Sequence, residues 1–211
     1  MTPRFSAALV ALVLALLLPA AASAQSDDAW ASLAAARAEL ERAAWQADFV
    51  QTYVPAGFSS GERETGRLAA SLPGRLRWDY EVPYPKAFLI AGRQAYTWNA
   101  GEATGRRALL EEAEREHLAL LELDVEALRG RYTAIVGAVS DEGLEIVLEP
   151  LGDAVDIRSA SIVLDAQSQR ITALAYSDLE GNTTRFDLSG HRIVADEGLF
   201  EPPSELDWLD G

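Results

Sequence analysis

The stretch RLRWDYEV, residues Arg75–Val82, alternates charged side chains at odd positions with large apolar ones at even positions. Successive side chains of a β-strand point to opposite faces of a sheet, so this pattern predicts a strand with one wet face and one dry face. The two predicted sets are Leu76, Trp78 and Tyr80 on the dry face, and Arg75, Arg77 and Asp79 in solvent on the convex side.

The same alternation recurs along the chain and predicts further strands. One begins at Trp45, and others span 144–149, 171–176 and 183–188. Residues typical of turns separate the apolar runs, at 73–74, 99–101, 141–143, 165–169 and 180–182. Strands joined by such short connections form hairpins in a meander, so we expect an antiparallel sheet.

Helical spacing of apolar residues predicts three helices, over 26–46, 107–121 and 124–129. Ser26 and Asp27 are suitable N-cap residues for the first helix, and Gly130 suits the end of the third. The apolar stripe of the middle helix consists of Leu110, Ala113, His117, Leu118 and Leu121, beside an acidic face of Glu111, Glu112, Glu114 and Glu116. These helices are expected to cover the open side of the sheet and to leave apolar space beneath them.

The amino-acid composition excludes several classes of protein and of binding partner. With 211 residues, 49% of them hydrophobic and 24% charged, the chain is long and apolar enough for one globular domain. Its net charge of −15 argues against a nucleic-acid partner, which requires a basic surface. Because the chain has no cysteine, disulfides, thiolate zinc sites, cysteine nucleophiles and cysteine-linked lipid anchors are excluded.

Residues 1–24 have the pattern of a secretory signal peptide. Arg4 supplies the positive charge, an apolar run covers 7–18, and Ala22–Ala24 forms a small-x-small cleavage site. We therefore predict export, with residues 25–211 forming the domain. A retained membrane anchor is the alternative, but the apolar run is shorter than the about 20 residues that a membrane-spanning helix needs.

Several stretches resemble a known family in their order along the chain. They are GRL at 66–68, PGRLRWDY at 73–80 with Pro83, Pro85 and Gly92 after it, YTW at 96–98, W-x-A-x-F-x-Q at 45–51, DLEGNTT at 178–184 and FEPP at 200–203. Together they resemble LolA, the family of periplasmic lipoprotein carriers, over nearly all of the predicted domain.

The resemblance implies a mainly β fold with α-helices: an unclosed antiparallel β-barrel of about eleven strands covered by an α-helical lid. It implies a periplasmic chaperone, not an enzyme, without cofactor or metal, whose apolar cavity holds the acyl chains of lipoproteins. The implied partners are acylated lipoproteins, an inner-membrane ABC transporter that releases them and an outer-membrane receptor that accepts them. We expect a monomer.

The predicted site residues follow from the alternation and the resemblance. The cavity is expected to be lined by Leu76, Trp78, Tyr80, Ile90 and Trp98, and the lid to present Leu110, Leu118 and Leu121. In the family an arginine precedes the proline of this strand and holds the empty form closed by hydrogen bonds to the lid. Leu72 stands at that position here.

Other interpretations remain open at this stage. Taken alone, the aromatic residues of one strand face are more often plain core than a ligand pocket. His117 and His191 are more simply ordinary, partly exposed histidines than bases or metal ligands. A sensor or lipid-binding protein of the same fold with other cargo, and an exported hydrolase, are the alternative functions.

Overall fold

The computed structural model describes residues 18–111, 118–141, 143–152 and 157–211. Its strands are β1 (Trp45–Val54), β2 (Glu62–Ala70), β3 (Arg75–Val82), β4 (Lys86–Ala91), β5 (Gln94–Asn99), β6 (Thr104–Leu109), β7 (Tyr132–Ser140), β8 (Gly143–Pro150), β9 (Ile157–Leu164), β10 (Ile171–Asp178), β11 (Thr183–Ile193) and β12 (Asp207–Asp210). The helices are α1 (Leu18–Leu40) and α2 (Val125–Arg129), with helical residues 118–122 between them and a 3-10 helix at Glu197–Phe200.

The strands form one unclosed sheet in the order β12-β6-β5-β4-β3-β2-β1-β11-β10-β9-β8-β7. Two antiparallel meanders, β1 to β6 and β7 to β10, are joined by β11, which pairs with both β1 and β10. The predicted fold, a mainly β unclosed barrel with a helical lid, is confirmed. The sheet has a twelfth strand because the C-terminal segment adds β12 beside β6, and this pair is parallel.

The first helix differs from its predicted bounds at both ends. It ends at Leu40, well before residue 46, because the backbone turns at residues 41–43 and Trp45 already pairs in β1. It is already helical at Leu18, the first described residue, so Ser26 and Asp27 lie inside the helix instead of capping it. The alanine-rich run before Ser26 favours this continuation. Within the described residues, no helix has the length and apolarity to cross a membrane.

The predicted middle helix is wrong in its first part. Residues 107–109 belong to β6, where Arg107 lies opposite Tyr96 of β5 and binds Asp210 of β12. Pairing on both sides outweighs a helical apolar pattern, which is only a local preference. Residues 112–117, with Ala113, His117 and three of the four glutamates, lie outside the described residues, whereas 118–122 are helical.

The third helix is confirmed as α2. The Asp124 carboxylate accepts a 3.2 Å hydrogen bond from the Ala127 N–H, which is the N-cap contact expected of this residue type. Gly130 follows directly after the last helical residue. This short helix lies against α1 and β7 and completes the helical cover.

The hydrophobic core lies between the helices and one face of the sheet, which we call the inner face. Trp30 and Leu33 of α1 share this core with Phe49 of β1, Leu76 of β3 and Ile162 of β9. Leu33 and Ile162 have no solvent-exposed surface. The inner positions of β3 are therefore the even-numbered ones, as the alternation predicts.

The opposite, outer face carries a second apolar layer that the sequence did not predict. Leu89 is fully buried there and Phe200 is 3% exposed, because the C-terminal segment folds over the sheet. The guanidinium of Arg75 lies 5.2 Å from the Phe200 ring, and that of Arg77 lies 5.3 Å from the Trp98 ring. Arg75, Arg77 and Asp79 do lie on the outer face, as predicted. The Arg75 side chain is 40% exposed, but those of Arg77 and Asp79 are mostly covered, with 18% and 25% exposed.

Candidate functional site

A mainly apolar cavity of about 410 Å³ opens between the inner face and the helical residues 118–122. This volume lies within the range of about 300 to 1,000 Å³ that is usual for ligand pockets. Its walls are formed by Trp78, Tyr80, Leu120, Leu121, Ile157, Tyr176, Asp178 and Phe186. The cavity therefore joins strands from both halves of the sheet to the lid.

Aromatic rings form the floor next to the cavity. The Phe49 ring packs edge-on against Tyr80, with 5.0 Å between ring centroids, and lies 6.0 Å from Phe186. Phe88 of β4 extends the row, 5.8 Å from Tyr80. Edge-to-face contacts of this kind stabilise ring positions beyond simple burial, so the floor is well fixed.

Polar side chains lie at one side of this floor. The Tyr80 hydroxyl donates a 2.6 Å hydrogen bond to Gln51 Oε1. Burial, with smaller contributions from Glu64 and Tyr176, raises the pKa of Tyr80 above its ordinary value, so the phenol stays protonated. Lys86 Nζ lies 4.6 Å from the Tyr80 ring and 2.8 Å from Glu64 Oε1. The arrangement gives an apolar interior with a hydrogen-bonded polar margin.

Close pairing of β2 and β3 places the inner residues of β3. A Cβ on Gly66 would lie 2.0 Å from the Asp79 carbonyl oxygen, so only glycine permits this approach. The register shifts next to Gly66 and then pairs Gly66 with Tyr80 and Leu68 with Trp78. A glycine in the middle of a strand thus has a specific role in building the cavity wall.

The helical residues 118–122 are attached to the rest of the molecule through Glu122. Its carboxylate accepts a 3.0 Å hydrogen bond from the Gly74 N–H, and its carbonyl accepts one from the Arg37 guanidinium. Burial raises the pKa of Glu122, and the Gly74 hydrogen bond and the nearby Arg37 oppose that rise. Glu122 therefore connects the lid both to the turn before β3 and to α1.

The structure brings together some of the predicted cavity residues. Trp78 and Tyr80 line the cavity. Leu76 and Ile90 lie opposite each other on β3 and β4, on the same face, but they pack within the core and do not form the cavity wall. Their role in binding stays a prediction.

Of the predicted lid residues, Leu121 lines the cavity. Leu110 and Leu118 pack against the same core without reaching the cavity. Leu72, the predicted lid-contact position, is partly buried against the core, two residues before the Gly74 N–H that binds the lid. The position is thus close to a lid attachment, although the attaching group belongs to Glu122.

The placement of Trp98 in the cavity is wrong. Trp98 lies opposite Ala87 of β4, whereas Trp78 lies opposite Phe88, so Trp98 and Trp78 are on different faces. The Trp98 ring packs 5.9 Å from that of Trp208 in the outer layer. Phe88, which is 39% exposed, is the inward residue of this region.

Sequence reasoning missed five of the eight residues of the cavity wall, which are Leu120, Ile157, Tyr176, Asp178 and Phe186. A signal existed for Phe186, because the alternation over 183–188 predicts a strand in which Phe186 and Leu188 share a face. No local signal indicates that this face meets Trp78, since β3 and β11 are far apart in sequence and are separated by β1 and β2 in the sheet.

The fold and the cavity place the chain among open-barrel folds with a helical cover, and comparison with known proteins narrows this class to one family. The family profile described as outer membrane lipoprotein carrier protein LolA matches residues 42–202. The chain belongs to the LolA family.

Individual relatives are distant. The chain is 26% identical over 173 residues to an outer-membrane lipoprotein carrier protein of Methylococcus capsulatus, and the match covers 77% of this chain and 79% of that protein. Among solved structures, an uncharacterized conserved protein from Thermus thermophilus superposes with a TM-score of 0.58 at 10% identity, covering 87% of this chain and 99% of the other. The Pseudomonas aeruginosa MucA/MucB complex gives a TM-score of 0.51 at 14% identity, covering 85% of this chain and 62% of the other. These likenesses support the fold alone.

Proposed function

We propose that this protein is a periplasmic chaperone that shields the acyl chains of lipoproteins and carries them from the inner to the outer membrane. The observation that carries the proposal is the apolar cavity between Trp78, Leu121 and Phe186 in a chain of the LolA family. Export through cleavage after Ala24 belongs to the same proposal, because the carrier works between two membranes.

The magnitude of the hydrophobic effect explains how such a cavity works. Each buried methylene contributes about 0.8 kcal/mol, so one long acyl chain supplies on the order of 10 kcal/mol before the costs of binding. Release of such a chain into water would be very slow. Loading and unloading are therefore proposed to occur by direct transfer at an inner-membrane ABC transporter and an outer-membrane receptor.

A cavity of about 410 Å³ has room for little more than one acyl chain, so cargo with several chains requires the lid to move. The polar attachments of the helical residues 118–122 run through Glu122 to Gly74 and Arg37. Hydrogen bonds of this kind contribute about 0.5 to 3 kcal/mol each, which is less than the burial of an acyl chain provides. Acyl binding can therefore displace the lid.

Two polar groups in the cavity wall are engaged in structural contacts, which favours a carrier over the hydrolase. Tyr80 donates to Gln51, and the Asp178 carboxylate accepts a 2.7 Å hydrogen bond from Asn182 Nδ2. This contact lowers the pKa of Asp178, which makes the carboxylate a weaker base. The proposed role requires no bond to be made or broken.

Native mass spectrometry of protein purified from the periplasm tests the proposal. We expect wild-type protein to retain acylated peptide or lipid, and Leu121→Glu to lose it, because a carboxylate in the cavity wall is incompatible with an acyl chain. Leu209→Glu is the matched control, since Leu209 is 53% exposed on β12. If each of the three samples has only the mass of its own bare polypeptide, the proposal is contradicted, and turnover of ester substrates would favour the hydrolase.

A further inference from the structure

A second, smaller cavity lies at the opposite end of β1 from the acyl cavity. Its volume is about 200 Å³, and Leu40, Trp45, Arg170, His191 and Ile193 are among the residues that line it. Phe186 of the acyl cavity pairs with Gln51 of β1. Trp45 lies six residues before Gln51 on the same strand, and six strand residues span about 20 Å. The two cavities are therefore distinct.

Two residues that line this cavity each carry a buried polar atom with no hydrogen-bond partner in the described part of the chain. The atoms are Trp45 Nε1 and His191 Nε2. Trp45 is only 9% exposed, and its ring centroid lies 5.8 Å from that of His191. Nearly all buried polar groups in proteins have a hydrogen-bond partner. Two unpaired atoms on neighbouring side chains therefore indicate a bound molecule that is not part of this chain.

The backbone directs His191 into the cavity by a local irregularity. The register between β1 and β11 shifts between Gln46 and Asp48, where β11 carries one extra residue. Gly190, at φ +63°, lies in this bulge directly before His191. Bulges of this type re-aim side chains and are frequent next to functional sites.

The two unpaired atoms differ in hydrogen-bonding character: one is a donor and the other is an acceptor. The indole Nε1–H can only donate a hydrogen bond. Burial, with a contribution from Arg170, lowers the pKa of His191 from its ordinary value, so the ring is neutral near pH 7. The His191 Nε2 atom then offers a lone pair, and a bound group must both accept from Trp45 and donate to His191.

Arg170 lies beside them without a direct ion pair within the described ranges, although Asp165 in the same turn interacts with it at longer range. Arg42 is 2.8 Å from Glu39, and Arg192 is 3.4 Å from Asp48. The guanidinium of Arg170 makes no ion pair or hydrogen bond among the described residues, and it is close enough to affect the pKa of His191. An anionic group is therefore favoured at this end of the cavity.

We propose that this cavity binds a small apolar carboxylic acid, which is taken up as the carboxylate together with one proton. One carboxylate oxygen accepts from Trp45 Nε1–H, and the proton is shared between the other oxygen and His191 Nε2, so the carboxylate and the proton together carry no net charge. Arg170 stabilises the negative charge that stays on the carboxylate side of this pair. The apolar body of the ligand lies against Leu40 and Ile193.

The predicted proton uptake makes binding depend on pH. The charged groups around His191 come from the β9–β10 turn, the end of α1, β1 and its own strand, and they are Asp165, Arg170, Glu39, Arg42, Asp48 and Arg192. Because binding takes up a proton at His191, the binding of an ionised carboxylate should weaken by at least about fivefold between pH 6 and pH 8.

Nuclear magnetic resonance of the indole N–H groups tests the proposal, with benzoate as the probe and the resonance of Trp45 assigned by its loss in Trp45→Phe. We expect benzoate to shift the Trp45 signal saturably and to bind more tightly at pH 6 than at pH 8. Arg170→Gln should weaken binding by about tenfold, as expected for the loss of a charged hydrogen-bond donor. Trp98→Phe, on the outer face, should leave it unchanged.

Benzyl alcohol is the matched probe without a charge. If it binds as tightly as benzoate and Arg170→Gln has no effect, the carboxylate proposal is wrong. A Trp45 signal that does not respond to millimolar benzoate would also overturn the proposal, because the two atoms would then be hydrated by water alone. Neither result bears on the acyl cavity, whose tryptophan is Trp78.

Discussion

The backbone N–H of Gly74 donates a 3.0 Å hydrogen bond to Glu122 Oε1, and this contact fastens the turn before β3 to the helical residues 118–122. Leu72, the predicted lid-contact position, lies in the same turn. The acceptor of this contact comes from the lid side, as the Glu122 carboxylate.

Glu122→Gln should be as stable as the wild type or slightly more stable at pH 7. A glutamine oxygen can still accept from the Gly74 N–H, while the partly buried negative charge is removed. Glu122→Ala should lower the free energy of unfolding by about 1 kcal/mol, because it leaves that N–H unpaired. Urea denaturation measures both, and equal stability of the two variants would show that the contact contributes nothing.

The same carboxyl group predicts a pH dependence. Burial raises its folded-state pKa above the unfolded value of 4.5, so the folded protein binds the proton more tightly. The resulting stabilisation is fully present below about pH 4.5 and is lost as the pH rises through the folded-state pKa. Relative to Glu122→Gln, the wild type should therefore gain stability between pH 7 and pH 4. A difference that is constant or changes in the opposite direction would show that the pKa is not raised.

Leu72→Arg should weaken acyl binding. Leu72 packs against the core beside the lid attachment, so an arginine removes apolar contact and adds a donor that can hold the empty form closed. Titration with a fluorescent fatty-acyl probe measures the affinity, with Leu179→Arg as the control because Leu179 is 55% exposed. Unchanged or tighter binding in Leu72→Arg would mean that closure does not depend on this position.

Arg77→Ala should loosen the C-terminal segment. Arg77 donates a 3.0 Å hydrogen bond to the Leu199 carbonyl and binds Asp79, with 18% of its side chain exposed. We expect a loss of about 1.5 to 3 kcal/mol and faster hydrogen exchange in residues 197–210. Arg67→Ala is the control, because its ion pair with Glu81 is about half exposed and such pairs contribute about 0 to 1 kcal/mol. Equal exchange in both variants would contradict this role.

The period-two pattern of β3 predicted its bounds and its inner residues, because one buried face specifies a register strongly. It could not predict that Trp98 lies on the outer face, since the tight turns at residues 92–93 and 83–85 decide which members of β4 and β5 point inward. Nor could it predict the cover formed by Phe200 and Trp208, which depends on contacts more than a hundred residues apart in sequence.

For a similar physical reason, the sequence predicted one wall of the cavity but not the opposite wall. Trp78, Tyr80 and Leu121 could be found because each belongs to a periodic apolar stripe. The wall opposite, which includes Ile157 and Phe186, is brought there by long-range strand pairing. The middle helix was predicted too early in the chain because residues 107–109 have a helical pattern but pair on both sides as strand β6.

Tryptophan quenching by a lipopeptide with brominated acyl chains tests the central claim most directly, since bromine quenches only rings that it contacts. Trp78 lies in the wall of the proposed acyl cavity and Trp98 on the outer face, so the two residues report on opposite sides of one sheet. We predict that quenching falls strongly in Trp78→Phe and is unchanged in Trp98→Phe. Quenching that persists in Trp78→Phe and disappears in Trp98→Phe, or no quenching of the wild type, would contradict the assignment of the inner cavity to acyl chains.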